Sequence, residues 1–226
     1  MTQGKKLAVA ICILLMGAAP VLADMTVTMS RGPGNGPGGE FYATYSGFSP
    51  APISLGGLIG AFETFCIEKN EYINFHSTYY IAINDEADAG GKGGGTPDPL
   101  DSRTAYLYEQ FITGQLTGYN YTNTTLRKGS ADALQDIFWY LENEQDWNAT
   151  WTSGTLQYAF YQDAVANHTP GDIGNVHVMN MYKNSDLTGR AQDQLVYFGE
   201  PVPAPGAAVL AMVGMAFVGR IRRRTV

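Results

Sequence analysis

The hydrophobic period of the chain changes twice, and these changes limit the possible folds more than any other feature of the sequence. The body starts with alternating, β-branched or aromatic runs that are typical of strands. These runs are MTVTMS (25–30), EFYATYSGF (40–48), ETFCIEK (63–69) and STYYIAIN (77–84). Three stretches at helical spacing follow, at 102–116, 130–144 and 153–168, before the strand-like runs NVHVMNMY (175–182) and QDQLVYF (192–198). This order predicts an α+β fold in which a β-sheet or barrel receives a three-helix insertion.

The middle helix has the clearest pattern of the three. Its apolar residues recur at i, i+3, i+4 and i+7, the spacing of one helix face. They are Leu134, Ile137, Phe138 and Leu141. Ser130 is its predicted N-cap, Asp132 favours its first turn, and Ser153 is the predicted N-cap of the third helix. Between the first two strands, RGPGNGPGG (31–39) is predicted to be a turn or a flexible loop.

Residues 1–23 are typical of a secretory signal peptide. Lys5 and Lys6 precede an uncharged apolar run, and small residues ending at Ala23 provide the usual cleavage spacing. We therefore expect the exported chain to begin near Asp24. Removal of the signal would also remove Cys12 and leave a single extracellular domain at 24–200.

Residues 201–226 combine a Pro-containing motif, a short apolar run and a basic cluster, in that order. The motif consists of Val202, Pro203, Ala204 and Pro205, and the cluster of Arg220, Arg222, Arg223 and Arg224. This arrangement resembles the PEP-CTERM sorting signal, in a variant with Ala204 where the family commonly has Glu. The resemblance implies a short transmembrane segment, with the arginines held on the cytoplasmic side of the inner membrane. It also implies cleavage by an exosortase-type enzyme and release to the cell surface or the extracellular space.

The expected exported body is strongly acidic. All 21 Asp and Glu residues lie within 24–205, but only eight of the 14 Lys and Arg residues do, which gives a net charge of −13. This charge argues against nucleic acid and anionic lipid as partners. It suits a soluble surface protein, or one that meets cations or amines.

Cys66 is the one cysteine that remains after loss of the signal peptide, and it lies in the strand-like stretch TFCIE. A strand there would place Phe65 and Ile67 on one face and Cys66 on the other. An unpaired cysteine can be an inert buried residue, form an intermolecular disulfide, act as a nucleophile, or form a bond other than a disulfide. The cysteine alone leaves these alternatives open.

The stretch ALQDIFWYLE provides a possible partner for this cysteine. Gln135 and Trp139 are four residues apart and share a helix face, which is offset from the main apolar stripe. A thiolate that attacks the Gln135 carboxamide would expel ammonia and leave a thioester. The reaction is unfavourable in water, but a fixed dry geometry can supply effective molarities of about 10⁵ M or more. A covering aromatic ring would also protect the product from hydrolysis.

The two stretches resemble the thioester domains of bacterial surface adhesins. That family has an aromatic–Cys–aliphatic motif followed by a Gln-x-x-aliphatic/aromatic-Trp motif, and the chain has FCI (65–67) and QDIFW (135–139) in that order. Leu134 stands where the family often has Thr, and Ile137 where a small residue is common. The resemblance implies a Cys66–Gln135 thioester shielded by Trp139 and Phe65. It further implies covalent adhesion to an amine-bearing surface or matrix molecule, as a single-use reagent rather than an enzyme, with no cofactor and no metal.

Four further possibilities remain open. The main alternative is a passive component of an extracellular matrix or biofilm, with Cys66 in the core and no covalent chemistry. A cysteine hydrolase would require a histidine base, for which His76, His168 and His177 are available. The loop at 84–101 offers oxygen ligands for Ca²⁺, although their spacing does not match an EF-hand. Trp147 and Trp151 could stack on sugars or cover a core.

Overall fold

A six-stranded antiparallel sheet and three helices form the body of the protein in this computed structural model, which describes residues 24–88 and 92–199. The strands of the sheet are β1 (Thr26–Arg31), β2 (Phe41–Ser46), β3 (Ala61–Thr64), β4 (Thr78–Asn84), β7 (Val176–Tyr182) and β8 (Arg190–Tyr197). Their order across the sheet is β3-β2-β1-β4-β7-β8. A separate short pair, β5 (Glu86–Ala87) and β6 (Asp98–Pro99), lies in the acidic loop. The predicted α+β class is confirmed.

The two edge strands approach each other without closing the sheet. Just after β3, Cys66 forms an isolated antiparallel bridge with Gln194 of β8. Ile67 donates its backbone N–H to the Asp193 carbonyl at 3.2 Å, and Leu195 donates to the Phe65 carbonyl at 3.0 Å. This link spans three residues rather than a continuous ladder. Of the two predicted forms, the described strands therefore make a sheet and not a closed barrel.

The three helices are inserted between β6 and β7, as the change of hydrophobic period predicts. They are α1 (Ser102–Ile112), α2 (Thr124–Leu141) and α3 (Leu156–Asn167). The predicted caps of α2 and α3 are wrong, because Asn123 caps α2 and Thr155 caps α3. Ser130 lies inside α2, where its hydroxyl donates to the Leu126 carbonyl at 3.2 Å. The first turns of α2 contain Thr, Gly and Lys rather than a periodic apolar face, so their helical state is not visible from the hydrophobic pattern.

Two groups of buried residues form the core, and the segment after β3 separates them. Phe65 and Ile67 belong to the cluster that packs on the helices, where the Phe65 ring lies 5.3 Å from the Phe138 ring. Cys66 belongs to the other cluster, together with Trp139 and side chains from the sheet. The predicted alternation of faces at 65–67 is therefore present. Helix α2 contributes to both clusters, with Phe138 on one side and Trp139 on the other.

Both expected targeting segments lie outside the described residues. These segments are the signal peptide at 1–23 and the sorting signal at 201–226, which includes Val202, Pro203, Ala204, Pro205, Arg220, Arg222, Arg223 and Arg224. Within residues 24–88 and 92–199, no helix has the length and apolar character required to cross a membrane.

Candidate functional site

Cys66 and Gln135 are in direct contact in the interior of the protein. The Cys66 thiol donates to Gln135 Oε1 with Sγ and Oε1 3.2 Å apart, and Gln135 Nε2 donates to the Cys66 carbonyl at 2.7 Å. The relative exposures of Cys66 and Gln135 are 0% and 2%. Because a C=O bond is about 1.2 Å long, the Gln135 carboxamide carbon lies within about 4.4 Å of the sulfur. A nucleophile and an electrophilic carbon therefore lie close together where bulk water is excluded.

Secondary structure on both sides of the contact fixes its geometry. Cys66 lies in the segment that bridges β3 and β8, and the backbone bonds of Ile67 and Leu195 hold that segment on both sides of the cysteine. Gln135 lies within α2, next to Leu134, which is fully buried in the helix-side core. A rigid strand-like segment and a packed helix thus position the two side chains more precisely than two loops would.

A glycine-rich loop completes the site. Gly39 donates its backbone N–H to Gln135 Oε1 at 3.1 Å and adopts a φ of +113°, which disfavours any side chain. A Cβ atom on Gly38 would lie 2.6 Å from Gln135 Cγ and 2.6 Å from Trp139 Cη2. The loop backbone therefore packs directly against both side chains. The Gly39 N–H points at the oxygen that would carry negative charge during acyl transfer.

The loop at 31–39 is fixed to α2 and is not a free turn. Asp132 accepts the backbone N–H and the side-chain N–H of Asn35, at 2.8 and 2.9 Å, and the N–H of Gly36 at 3.4 Å. At the other end of the loop, the buried Glu40 carboxylate pairs with Arg127 and accepts the Tyr119 hydroxyl at 2.7 Å. Sequence reasoning missed these roles. The composition of the loop indicates only a turn, and Asp132 is equally typical of a solvated helix residue.

Burial dominates the electrostatics of Cys66. Burial raises the pKa of the Cys66 thiol well above its ordinary value, and the nearby carboxyl groups of Glu68 and Glu144 raise it further. The Cys66 backbone and, to a smaller extent, the Trp139 side chain act in the opposite direction and lower the pKa of this thiol. Trp139 Nε1 is buried and makes no hydrogen bond within the described residues. Cys66 is therefore a neutral thiol near pH 7, so it must lose its proton during an attack and is not a standing thiolate.

Glu68 is an unusual buried acid near the site. Its relative exposure is 2%, and neither carboxyl oxygen has a hydrogen-bond partner among the residues described. Burial, with the charges of Asp193 and Glu71 adding to it, raises the pKa of Glu68 to about 10. Glu68 is therefore protonated at neutral pH and provides a neutral carboxylic acid near the Cys66 thiol.

Trp139 separates the Cys66–Gln135 pair from a surface cleft. Its side chain touches the glycine loop beside Gln135, and its ring also lines a cleft of about 360 Å³. On the cleft side, Lys69 Nζ lies 5.1 Å from the ring centroid and donates to Gln145 Oε1 at 2.5 Å. Phe65 packs in the helix-side cluster, away from this cleft. Of the two aromatic residues implied by the resemblance, Trp139 is the one between the pair and the cleft.

The alternative candidates have other partners. His177 pairs with Asp85 at 2.7 Å, and His168 Nδ1 lies 2.9 Å from the Ala164 carbonyl oxygen. His76 donates its backbone N–H to Met29, so none of these hydrogen bonds includes Cys66. Trp147 and Trp151 pack edge to face in the aromatic cluster around Tyr140, with 5.2 Å between their ring centroids. The site therefore offers Cys66 a carboxamide rather than a histidine base.

The acidic loop uses several of its side chains for internal contacts. Asp88 pairs with Arg190 at 2.8 Å, and Asp101 caps α1 by accepting the Arg103 N–H at 2.7 Å. Asn84 donates to Asn180, and Asp85 pairs with His177. Within the described part of the chain, no group of three or more His, Cys, Asp or Glu side chains is arranged to hold a metal ion.

Comparisons with protein-family models, curated proteins and solved structures find no match to the chain. The resemblance to thioester domains and to the PEP-CTERM signal therefore stays a prediction.

Proposed function

We propose that the protein is exported to the cell surface or matrix and attaches covalently to an amine-bearing partner through a thioester between Cys66 and Gln135. One observation carries the chemical part of this proposal, the 3.2 Å contact between the Cys66 sulfur and Gln135 Oε1 in the buried interior. The proposals of export, transient membrane attachment and processing by an exosortase-type enzyme depend on the two ends of the sequence.

Formation of the thioester requires only groups that are already in contact. Cys66 Sγ attacks the Gln135 carboxamide carbon, and the electron pair of the C=O bond moves to Oε1. The Gly39 N–H donates a hydrogen bond to this oxygen and stabilises its developing negative charge. The intermediate collapses, the bond from carbon to Nε2 breaks, and the thiol proton leaves with Nε2 as part of ammonia. The Cys66 carbonyl accepts a hydrogen bond from Nε2 at 2.7 Å, which holds the amide next to the cysteine.

The second step transfers the Gln135 acyl group to the partner. A neutral amine attacks the thioester carbon, the carbon–sulfur bond breaks, and the amine proton passes to Cys66. The product is an amide between the partner and the side chain of residue 135, together with a free Cys66 thiol. The buried Trp139 indole N–H has no hydrogen-bond partner among the described residues and can donate to the departing sulfur. The bond forms once per molecule, so the protein is a single-use reagent.

The site must react with an amine before it reacts with water. Cys66, Gln135 and Trp139 are at most 5% exposed, and the Gly38 backbone packs against both the glutamine and the tryptophan. Exclusion of water slows hydrolysis of a reactive acyl group. A thioester formed here would therefore persist until a partner reaches it.

Intact-mass measurement of the purified protein, before and after methylamine treatment, tests the proposal. We expect a mass lower by one ammonia than the sequence requires, with no titratable thiol at Cys66. Methylamine should then add one methylamine and release the thiol. Cys66→Ala and Gln135→Ala should each have the full sequence mass of the variant and no reaction with methylamine. Gln115→Ala removes an exposed glutamine away from the site and should behave as wild type.

Two outcomes would contradict the proposal. One is a full sequence mass with a freely titrating thiol, which would favour the passive matrix alternative. The other is a mass low by one ammonia that methylamine does not change, together with a free thiol. That result would indicate an amide to an internal amine, for which Lys69 on the Trp139 ring is a candidate.

A further inference from the structure

The cleft beside Trp139 lies next to the buried pair. Trp139 is in contact with the Gly38 backbone next to Gln135, and the same side chain lines the cleft. Cys66 is covered on its other sides by β8 and the buried core. Displacement of one side chain, Trp139, would connect the cleft to the thioester. The chemistry of the cleft therefore selects which acceptors arrive.

The cleft is cationic in a protein that is otherwise strongly acidic. Its lining includes two cationic side chains, Arg31 and Lys69, and one acidic side chain, Glu71. These two residues are among only eight Lys and Arg residues in a body with a net charge of −13. Neither forms an ion pair within residues 24–88 and 92–199, where the arginine and lysine pairs are those of Arg103, Arg127 and Arg190.

Aromatic rings hold both cations at the cleft. The Arg31 guanidinium lies 5.1 Å from the Phe75 ring centroid, and Lys69 Nζ lies 5.1 Å from that of Trp139. Lys69 Nζ also donates to Gln145 Oε1 at 2.5 Å, and Arg31 Nη1 donates to the Gly36 carbonyl at 3.4 Å. The stacking orients both cations, and their other side-chain N–H groups have no partner among the described residues. The rest of the wall includes Asn70, Gln192 and an exposed Tyr72, which supply polar contacts and a further ring.

We infer that this cleft binds a carboxylate of the acceptor through Arg31 and Lys69, an inference that builds on the proposed function. The favoured acceptor then carries its reactive amine within a few bonds of an acidic group, as an amino acid or an acidic peptide segment does. Arg31 and Lys69 hold the carboxylate while the amine enters where Trp139 has moved aside. The same two cations disfavour a protonated amine and favour the neutral form that attacks.

The first test measures binding without the covalent step. In Cys66→Ala protein, the indole N–H signal of Trp139 is followed by NMR during titration with N-acetyl-β-alanine or its neutral counterpart, N-acetyl-β-alaninamide. We expect a saturable shift with the carboxylate and none with the amide. Arg31→Gln should remove the shift, whereas Lys183→Gln, which removes a charge outside the cleft, should keep it. Equal responses to both compounds, or none, would overturn the inference. Cys66→Ser serves as a second background if Cys66→Ala unfolds.

The second test measures reaction of the wild-type protein. Adduct formation with β-alanine should be about fivefold faster than with β-alaninamide, at low salt and at equal concentrations of neutral amine. One close charge pair near water supplies about this difference in binding affinity. Added salt and Arg31→Gln should each abolish the preference. Equal rates with both amines would retain the thioester and reject the carboxylate site. Carboxylate binding without any adduct would retain the site and reject the thioester.

Discussion

Asp132 and Gln135 lie one turn apart on α2 and accept hydrogen bonds from the middle and from the end of the same glycine-rich loop. Asp132 accepts the Asn35 N–H at 2.8 Å, and Gln135 accepts the Gly39 N–H at 3.1 Å. The helix therefore carries both the Gln135 carboxamide and the residue that anchors the loop from which the carboxamide accepts a hydrogen bond. Because residues three positions apart on one helix have a fixed spacing, the loop and the carboxamide move together.

Loss of the Asp132 anchor should slow thioester formation. Asp132→Ala removes the acceptor for Asn35 and Gly36, so Gly39 is no longer held against Gln135, and the rate should fall about tenfold or more. The fraction of molecules that have lost ammonia is measured by mass at intervals after cell-free synthesis. Asp136→Ala is the control, because Asp136 contacts Gln157 of α3 and not the loop. Equal rates in both variants would show that the anchor has no role in the chemistry.

Gly38→Ala should disrupt the site by overlap. The new methyl group would lie 2.6 Å from atoms of Gln135 and Trp139, so one of the two buried side chains must move. We expect a loss of stability of about 1–3 kcal/mol and a large fall in the fraction with thioester. At Gly36 the nearest atom to an added Cβ is 3.9 Å away, so Gly36→Ala should retain the wild-type stability and the wild-type thioester fraction. Thermal unfolding and intact mass measure the two effects. A normal thioester fraction in Gly38→Ala would show that this packing does not control the reaction.

The sequence is sufficient to predict the parts of the site that obey regular periods. Alternation along 65–67 separates Cys66 from Phe65 and Ile67, and helical spacing puts Gln135 and Trp139 on one face; both relationships are present in the structure. The contact itself cannot be derived from these periods. It depends on where α2 lies against the bridge between Cys66 and Gln194, which is a matter of tertiary packing.

The remaining components of the site have no local sequence signal. Gly38 and Gly39 belong to a stretch whose composition indicates only a turn, and their role depends on a helix about a hundred residues later in the chain. The start of α2 cannot be predicted from the hydrophobic pattern for a different reason. Its first two turns lack an apolar face and are stabilised by the Asn123 cap. Long-range contacts of this kind carry no periodicity along the chain.

Removal of the Trp139 ring should make the thioester shorter-lived. Trp139→Phe leaves a gap between the cleft and the pair, so hydrolysis should be at least about tenfold faster and reaction with methylamine should also accelerate. The mass gained as water replaces the thioester bond follows this reaction over time. Trp147→Phe alters a tryptophan in the aromatic cluster near α3 and should leave the lifetime unchanged. A lower melting temperature without faster hydrolysis would assign Trp139 to packing alone.

The buried acids should make the protein less stable as pH rises. Burial raises the pKa of Glu68 to about 10, that of Glu142 to about 8 and that of Asp193 to about 7. Between the ordinary carboxyl pKa near 4 and these values, each group is protonated when folded and ionised when unfolded. The folded state therefore binds more protons, and each group lowers the unfolding free energy by up to about 1.4 kcal/mol per pH unit in its window.

Glu68→Gln isolates the contribution of one of these acids. Neither Glu68 oxygen has a hydrogen-bond partner among the described residues, so a neutral amide of the same shape should be tolerated. We expect unfolding free energies close to wild type at pH 5 and higher than wild type at pH 8, with a smaller slope between them. Urea unfolding at several pH values provides the measurement, and Glu86→Gln, a change at an exposed glutamate, should retain the wild-type slope. If Glu68→Gln has the wild-type slope as well, Glu68 is ionised in the folded protein, and a neutral acid beside Cys66 no longer belongs to the site.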